Sequence, residues 1–146
     1  MRTFAFLALA ALAALPVLSA IQDKAEPEHV TVQHILIAFR GSTPDPKVTR
    51  SQAEAETLAL QIFERAKAGE DFDAMVKTYT NDSYPGIYRM SNRNVAPDTA
   101  KREFPRGRMV KAFGDVSFGL EVGGVGMAPY DRVTSVFGWH IIKRLE

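Results

Sequence analysis

Two histidines, each set in an apolar run, are the side chains best suited to chemistry. His34 lies in VQHILI and His140 lies in FGWHII. A half-buried imidazole needs hydrogen-bond partners for both ring nitrogens, and histidines on neighbouring strands could satisfy one another. Taken singly, each is more often a satisfied core histidine than a catalytic one. The residues alone therefore leave a structural and a functional role open for both.

An aspartate and an apolar cluster complete the set of candidates. Asp82 follows Tyr-Thr-Asn at the end of a helical pattern, where an aspartate on its own is a turn or cap residue. Met109 and Phe113 have the i, i+4 spacing that places both on one face of a short helix. With Phe137 they form either a small cup for a flat apolar ring or ordinary core. Two histidines and an aspartate could also bind a metal, but the sequence has no HxxxH or HExxH pair, which disfavours a metal site.

Composition narrows the class of protein. The chain has 146 residues, with 18 Lys+Arg, 17 Asp+Glu, a formal net charge of +1 and no cysteine. This length fits one modest domain. The lack of cysteine excludes a disulfide scaffold, a thiolate metal site and a cysteine nucleophile. A nucleic-acid-binding protein would carry a dense basic face, so we expect no nucleic-acid partner.

Residues 1–20, MRTFAFLALAALAALPVLSA, are typical of an export signal. Arg2 is their only charge, and the continuous apolar run at 4–15 is shorter than the roughly 20 residues that cross a bilayer core. We expect cleavage near Ala20 and an exported protein, periplasmic or extracellular, with no membrane attachment; an uncleaved anchor is the alternative. The expected organisation is a signal peptide over 1–20, a polar lead-in over 21–29 and one domain over 30–146.

The hydrophobic pattern predicts an α+β domain with an antiparallel or mixed sheet. Ser51 and Glu54 have the spacing of a capping box at a helix start, and Asp71 is the predicted cap of a second helix. A glycine-rich segment covers 119–129. The predicted elements are, in chain order, a strand at 30–39, a helix from Ser51 to about Ala68 that Gly69 ends, a helix at about 72–80, a short strand at 86–90, a brief helix at 108–114 and two strands within 130–145.

Four stretches together resemble the parvulin-type peptidyl-prolyl isomerase (rotamase) family. They are VQHILIAF, DFDAMVKTYTND, RGRMVKAF and SVFGWHIIKR, and they span about residues 30–145 in the family's order. The resemblance implies a single α+β domain in which helices surround a four-stranded antiparallel sheet. It also implies cis/trans isomerisation of the peptide bond before proline, without a cofactor or a metal. The implied partner is an unfolded or flexible polypeptide containing Xaa-Pro, and we expect a monomer.

The resemblance also assigns roles to residues by position. His34 and His140 look like the family's paired histidines, Asp82 falls where relatives carry Cys or Asp, and Ser135 falls where they usually carry Thr. The ring-holding residues of the family correspond to Met109, Phe113 and Phe137. The implied catalytic set is therefore His34, Asp82, Ser135 and His140, and the implied substrate-binding set is Met109, Phe113 and Phe137.

The chain departs from the family pattern in two segments. Within residues 83–107, a single glycine, Gly86, precedes Ile87-Tyr88 where relatives have a Gly-Gly-x-Leu-Gly signature, and an insertion lies at about 91–104. Residues 119–129 are longer and richer in glycine than the usual turn. These departures keep a second hypothesis open, a non-catalytic proline-peptide-binding or chaperone module on the same scaffold. The favoured hypothesis is an exported isomerase that assists folding of secreted or periplasmic chains by non-covalent stabilisation of the twisted amide.

Substrate phosphorylation is not expected to matter. Some relatives bind phosphate with clustered basic residues after the first strand, whereas Arg40, Lys47 and Arg50 are scattered here. We therefore predict that these three side chains are ordinary solvated loop charges.

Overall fold

The structure, a computed structural model, describes residues 25–146. The predicted signal peptide and residues 21–24 of the lead-in lie outside the described residues. Within 25–146, no helix is long and apolar enough to cross a membrane. The elements are, in chain order, β1 (His29–Ile37), α1 (Gln52–Lys67), α2 (Phe72–Tyr79), β2 (Ile87–Ser91), β3 (Phe104–Pro105), a 3-10 turn (Arg106–Arg108), α3 (Lys111–Gly119), β4 (Val125–Ala128) and β5 (Trp139–Arg144).

The strands form one five-stranded sheet in the order β3-β2-β1-β5-β4. β1 is the central strand and is buried along nearly its whole length, which explains its continuous apolar sequence. It pairs antiparallel with β2 and β5, and β4 pairs antiparallel with β5. The α+β prediction is confirmed. The sheet differs from the implied four antiparallel strands because β3 adds a fifth strand, parallel to β2.

The added strand comes from the predicted insertion. After β2 the chain makes a loop and returns so that Met90 pairs with Phe104 and Ser91 with Pro105. Proline has no backbone N–H to donate to a ladder, so it is tolerated at the outer edge of a sheet. β3 is therefore an edge strand of two residues, too short to leave a pattern in the sequence.

Both predicted helix caps are confirmed. The backbone N–H of Glu54 donates to Ser51 Oγ (3.2 Å) and that of Ser51 donates to Glu54 Oε2 (2.6 Å), which is the reciprocal capping box. Asp71 Oδ1 accepts from the N–H of Ala74 (3.1 Å) at the start of α2. The stop at Gly69 is consistent with its positive φ of 88°.

The helices cover the two faces of the sheet. α1 and α2 pack their apolar stripes against one face, and α3 packs against the other. Burial of one large apolar side chain contributes about 1.5–3 kcal/mol, so both layers stabilise the central strand. The first cluster is built around Ile35, Ile37, Ile62, Met75, Val76, Trp139 and Ile141, and the second around Val32, Met90, Phe113, Phe118 and Ile142.

Two element predictions near the chain end are wrong. The short helix lies at Lys111–Gly119 rather than 108–114, because Arg106–Arg108 forms a 3-10 turn in which the Arg106 carbonyl accepts from Met109 N–H (3.1 Å). Met109 therefore has extended backbone (φ −87°, ψ 162°) and shares no helix with Phe113.

The strand that pairs with β5 is β4, which lies within the glycine-rich segment, and not a strand after Tyr130. Gly126 interrupts the β-branched and aromatic pattern by which a strand is recognised. A Cβ at Gly126 would lie 2.8 Å from Val116 Cγ1 and 3.1 Å from Leu120 Cδ2, both on or next to α3. The glycine thus permits the close approach of helix and strand.

Candidate functional site

A pocket of about 380 Å³ lies on the face of the sheet that α3 covers. It has one polar wall, built on β1, β5 and the turn after α2, and apolar walls on the other sides. All the predicted site residues except Ser135 line it. The lining comprises His34, Leu36, Thr43, Pro44, Asp45, Asn81, Asp82, Tyr88, Met109, Val110, Phe113, Phe137 and His140.

The register of β1 and β5 brings the two histidines together. His34 pairs with Ile142 and Leu36 pairs with His140, so the histidines are diagonal neighbours on one face. Their Nδ1 atoms lie 3.3 Å apart, and their rings stack at an interplanar angle of 13°. Both side chains are buried. The two histidines on neighbouring strands do contact each other through their Nδ1 atoms, as the sequence allowed.

Asp82 reaches His34 because the turn after α2 is hydrogen-bonded to β1. β2 pairs with β1 only as far as Gln33, and the turn takes over the exposed edge beyond that point. The N–H of Leu36 donates to Thr80 Oγ1 (3.1 Å), and the N–H of Asn81 donates to the Leu36 carbonyl (2.8 Å). The strand edge is thereby satisfied, and the next residue of the turn, Asp82, is fixed beside the imidazole.

One oxygen of Asp82 is shared by two partners. His34 Nε2 lies 2.9 Å from Oδ2, and the Tyr88 hydroxyl donates to the same atom at 2.7 Å. The hydrogen bond from His34, assisted by that from Tyr88, holds the pKa of Asp82 well below its usual range despite partial burial. Burial, together with the bond to Asp82, raises the pKa of Tyr88 to about 12. At neutral pH Asp82 is therefore an ionised acceptor and Tyr88 a neutral donor.

The ionised Asp82 fixes one hydrogen atom of the histidine pair. A carboxylate only accepts, so His34 Nε2 carries the hydrogen that Asp82 receives. Of the two facing Nδ1 atoms, one must donate and the other accept. Burial, and secondarily the neighbouring His34, lower the pKa of His140 to about 3, so this ring is neutral. Its Nε2 is buried and has no hydrogen-bond partner among the described residues.

Aromatic rings form the apolar side of the pocket. Phe113, 2% exposed, meets His34 edge-on with ring centroids 5.0 Å apart and lies 5.7 Å from the Tyr88 ring. Phe137 is 43% exposed and stands at the rim. Met109 lines the pocket although it precedes α3. Met109, Phe113 and Phe137 thus line one pocket, and they are carried by the stretch that enters α3, by α3 itself and by the loop before β5.

Ser135 occupies a different place from the other predicted residues. It is fully buried, and its hydroxyl donates to the Gly138 carbonyl at 2.9 Å. This bond closes the loop that carries Phe137, so its contact with the pocket is indirect. The predicted catalytic role of Ser135 stays a prediction.

Sequence reasoning missed Tyr88 and misjudged Arg50. Tyr88 is aromatic in a strand and lies two residues from buried Met90, a period-2 signal that would place both on one face. Arg50 is not an ordinary solvated charge, because its guanidinium donates to the Ala38 carbonyl (2.9 Å) and to Asn81 Oδ1 (2.7 Å). It braces the turn that carries the aspartate.

The structure also bears on the metal hypothesis. Over residues 25–146, no group of three or more His, Cys, Asp or Glu side chains is arranged to hold a metal ion. His34 and Asp82 instead use their facing atoms to bond each other.

Comparison with known sequences gives a consistent set of matches. A family model described as the PPIC-type PPIase domain matches residues 17–146. Foldase protein PrsA 4 of Bacillus cereus is 36% identical over 100 residues, which are 68% of this chain and 31% of that protein. Chaperone SurA of Pseudomonas aeruginosa is 28% identical over 125 residues, which cover 81% of this chain and 24% of that protein. The chain thus spans a quarter to a third of the length of these relatives.

Solved structures share the fold. The peptidyl-prolyl isomerase ESS1 from Candida albicans superposes with a TM-score of 0.58 at 22% identity, over 82% of this chain and 63% of that chain. The solution structure of TbPIN1 gives a TM-score of 0.58 at 23% identity, over 82% of this chain and 98% of that chain. At these identities the likeness concerns the arrangement of strands and helices.

Proposed function

The chain belongs to the PPIC-type peptidyl-prolyl cis-trans isomerase (parvulin) family, and we propose that its pocket is where it rotates the peptide bond before a proline. One observation carries this proposal. An apolar cup of Met109, Phe113 and Phe137 faces the hydrogen-bonded pair of His34 and Asp82 across a single pocket.

The reaction requires no nucleophile. Rotation about the amide costs ~18–20 kcal/mol because the C–N bond has partial double-bond character, and no bond between heavy atoms is broken. A catalyst must bind the twisted amide more tightly than either planar form. In the twisted state conjugation is lost, so the charge on the carbonyl oxygen and on the nitrogen changes.

Each wall of the pocket has a distinct task in this scheme. The apolar cup holds the pyrrolidine ring while the preceding carbonyl turns. His34 and His140 offer preoriented polar groups to the changing charge, and their tautomers are set by ionised Asp82. Such dipoles act strongly because the burial of the imidazoles excludes water from them. Ser135 acts as a positioning residue through the loop that carries Phe137.

We further propose that the protein is an exported monomer acting on unfolded or newly secreted chains. The signal-like sequence of residues 1–20 supports export. The relatives named foldase and chaperone support a role in folding. Mass spectrometry of the protein recovered from its host would find an N-terminus near Ile21, whereas full-length protein held in the membrane would contradict export.

Exchange NMR on short Xaa-Pro peptides tests the enzymatic proposal. We expect cis/trans exchange well above the blank with the wild-type protein, and slower exchange with Met109→Ala and Phe113→Ala. Phe113 is a core residue, so Phe113→Leu is the variant that keeps the fold while it reshapes the cup. Peptide-induced resonance shifts without faster exchange would instead support the non-catalytic binding module. Unchanged binding and exchange in the Met109 and Phe113 variants would refute the site.

A further inference from the structure

An exposed aromatic ring lies next to the pocket, on the strand that the insertion adds. Phe104 is 47% exposed, and its ring centroid is 6.1 Å from that of Tyr88, which lines the pocket. It is the only aromatic residue in the segment 92–104, NRNVAPDTAKREF. We propose that Phe104 and Tyr88 form a subsite for a large apolar side chain, aromatic or aliphatic, on a residue flanking the substrate proline. This inference rests on the proposed function, which seats the proline in the pocket.

The strand register places this ring on the correct face. Phe104 pairs with Met90, and Tyr88 lies two residues before Met90, so the three side chains share the face that holds the pocket. Consecutive Cα atoms of a peptide are about 3.8 Å apart. A residue adjacent to a proline that contacts the Tyr88 ring can therefore place its side chain against Phe104.

The backbone below Phe104 is firmly held. Arg106, 7% exposed, pairs with Glu26 at 2.6 Å and with Asp115 at 2.9 Å, and its guanidinium lies over the Phe118 ring at 4.8 Å from the centroid. The exposure of Phe104 is thus a property of a fixed segment. Because the backbone that carries the ring is already ordered, a partner that binds has only the side chain left to order, which favours the use of this ring in recognition.

The occupant is a side chain and not an added strand. β3 has two residues, and Pro105 has no N–H with which to pair a further strand. The exposed feature of this edge is the ring of Phe104, which favours offset or edge-on contact with an apolar or aromatic group. A peptide that crosses the pocket would meet this ring through the side chain next to its proline.

Peptide panels test the subsite. The two series are Ala-Ala-Xaa-Pro-Ala-Ala and Ala-Ala-Ala-Pro-Xaa-Ala, with Ala, Leu, Phe or Glu at Xaa, and kcat/KM is measured by exchange NMR. With the wild-type protein we expect Phe and Leu to exceed Ala in at least one series by about three- to tenfold, or roughly 0.7–1.4 kcal/mol. Phe104→Ala should bring the ratio of kcat/KM for the Phe or Leu peptide to that for the Ala peptide towards one. Phe104→Leu should keep part of this preference.

Leu60→Ala is the matched control. Leu60 is 45% exposed on α1, which packs on the opposite face of the sheet, so its truncation should leave the ratio unchanged. A wild-type protein without preference, or a Phe104→Ala variant with the wild-type ratio, would overturn the subsite. If no peptide exchanges faster than the blank, the isomerase proposal fails and NMR titration decides on the subsite. Weaker binding of the Phe and Leu peptides to Phe104→Ala than to the wild-type protein would support the subsite. Binding that does not depend on Phe104, or no binding, would overturn it.

Discussion

The Nδ1 atoms of His34 and His140 lie 3.3 Å apart across adjacent strands, and both imidazoles are buried. The contact requires one ring to donate and the other to accept, so it survives only while at least one of them is neutral. Burial supplies that neutral ring, because it lowers the pKa of His140 to about 3. The pair is therefore a source of pH-dependent stability.

We predict that the free energy of unfolding falls as the pH is lowered from about 6.5 towards 3. The unfolded chain binds a proton at His140 near its ordinary pKa of 6.5 and the folded protein does not, so acid favours unfolding. The slope from this one group reaches at most about 1.4 kcal/mol per pH unit. Below about pH 4 the lowered pKa of Asp82 adds to the loss, with the same sign.

Urea unfolding of wild type and His140→Gln between pH 7.5 and 4.5 measures this effect. The variant should be less stable at pH 7.5, and the difference from wild type should narrow as the pH falls. Phe118→Leu is the control, since it changes an equally buried side chain without a titrating group and should lower stability by the same amount at each pH. A constant difference for His140→Gln would show that His140 is not held neutral by the fold.

The shared oxygen of Asp82 predicts a separable role for Tyr88. Tyr88→Phe keeps the ring and removes the donor, so we expect the pKa of Asp82 to rise towards its ordinary value while the bond from His34 remains. The loss of one hydrogen bond of about 1 kcal/mol would lower kcat/KM by roughly fivefold. Carboxyl ¹³C NMR during a pH titration reports the first effect, and exchange NMR reports the second.

Tyr84→Phe is the matched control for this variant. Its hydroxyl also donates to an aspartate, Asp73 Oδ2 at 3.1 Å, but Tyr84 does not line the pocket. We expect it to leave both the pKa of Asp82 and the exchange rate unchanged. If Tyr88→Phe also left both unchanged, the Tyr88 hydroxyl would have no role, and the residue would contribute only its apolar ring to the pocket.

The residues that the sequence identified are those with a strong local signal. Ser51 and Glu54 predict their capping box because the bonds join residues three apart, and the histidine pair follows from apolar runs of strand length. Tyr88 was missed because its partner, Asp82, is fixed by bonds between the turn after α2 and β1, which are distant in sequence. The polar wall of the site thus depends on tertiary contacts, which a local sequence pattern does not reveal.

The displaced elements have local causes of a different kind. β3 is two residues long, and β4 contains Gly126, so neither offers the alternation by which a strand is recognised. Met109 was placed on a helix because its spacing from Phe113 fits one, whereas the 3-10 turn before it delays the start of α3. The two side chains do line one pocket, but the backbone that carries Met109 is not the helix that the spacing predicted.

The buried bond from Ser135 to the Gly138 carbonyl predicts a positioning effect on Phe137. Ser135→Ala removes the bond and should lower stability by about 1 kcal/mol. Because the loop then holds Phe137 less firmly, KM should rise more than kcat falls. Ser135→Thr keeps the hydroxyl and should restore both values in part. A fall in kcat at constant KM would instead place the hydroxyl in the chemical step.

Gly138 joins the rim of the pocket to the strand that carries His140, and it cannot accept a side chain. Its φ is 138°, and a Cβ there would lie 2.2 Å from the Ile37 carbonyl oxygen on the central strand. We predict that Gly138→Ala lowers the free energy of unfolding by at least about 1–3 kcal/mol, the usual cost of a strained backbone position. Chemical denaturation measures this loss.

Gly107→Ala serves as the control, because a Cβ at Gly107 meets no atom within 4 Å. We expect it to change stability by no more than about 0.5 kcal/mol. In Gly138→Ala the clash also pushes β5 away from β1 at the point where the two histidines approach, so exchange activity should fall even under conditions where the variant is fully folded. Wild-type activity in the folded variant would mean that the spacing of β1 and β5 at this point does not set the geometry of the imidazoles.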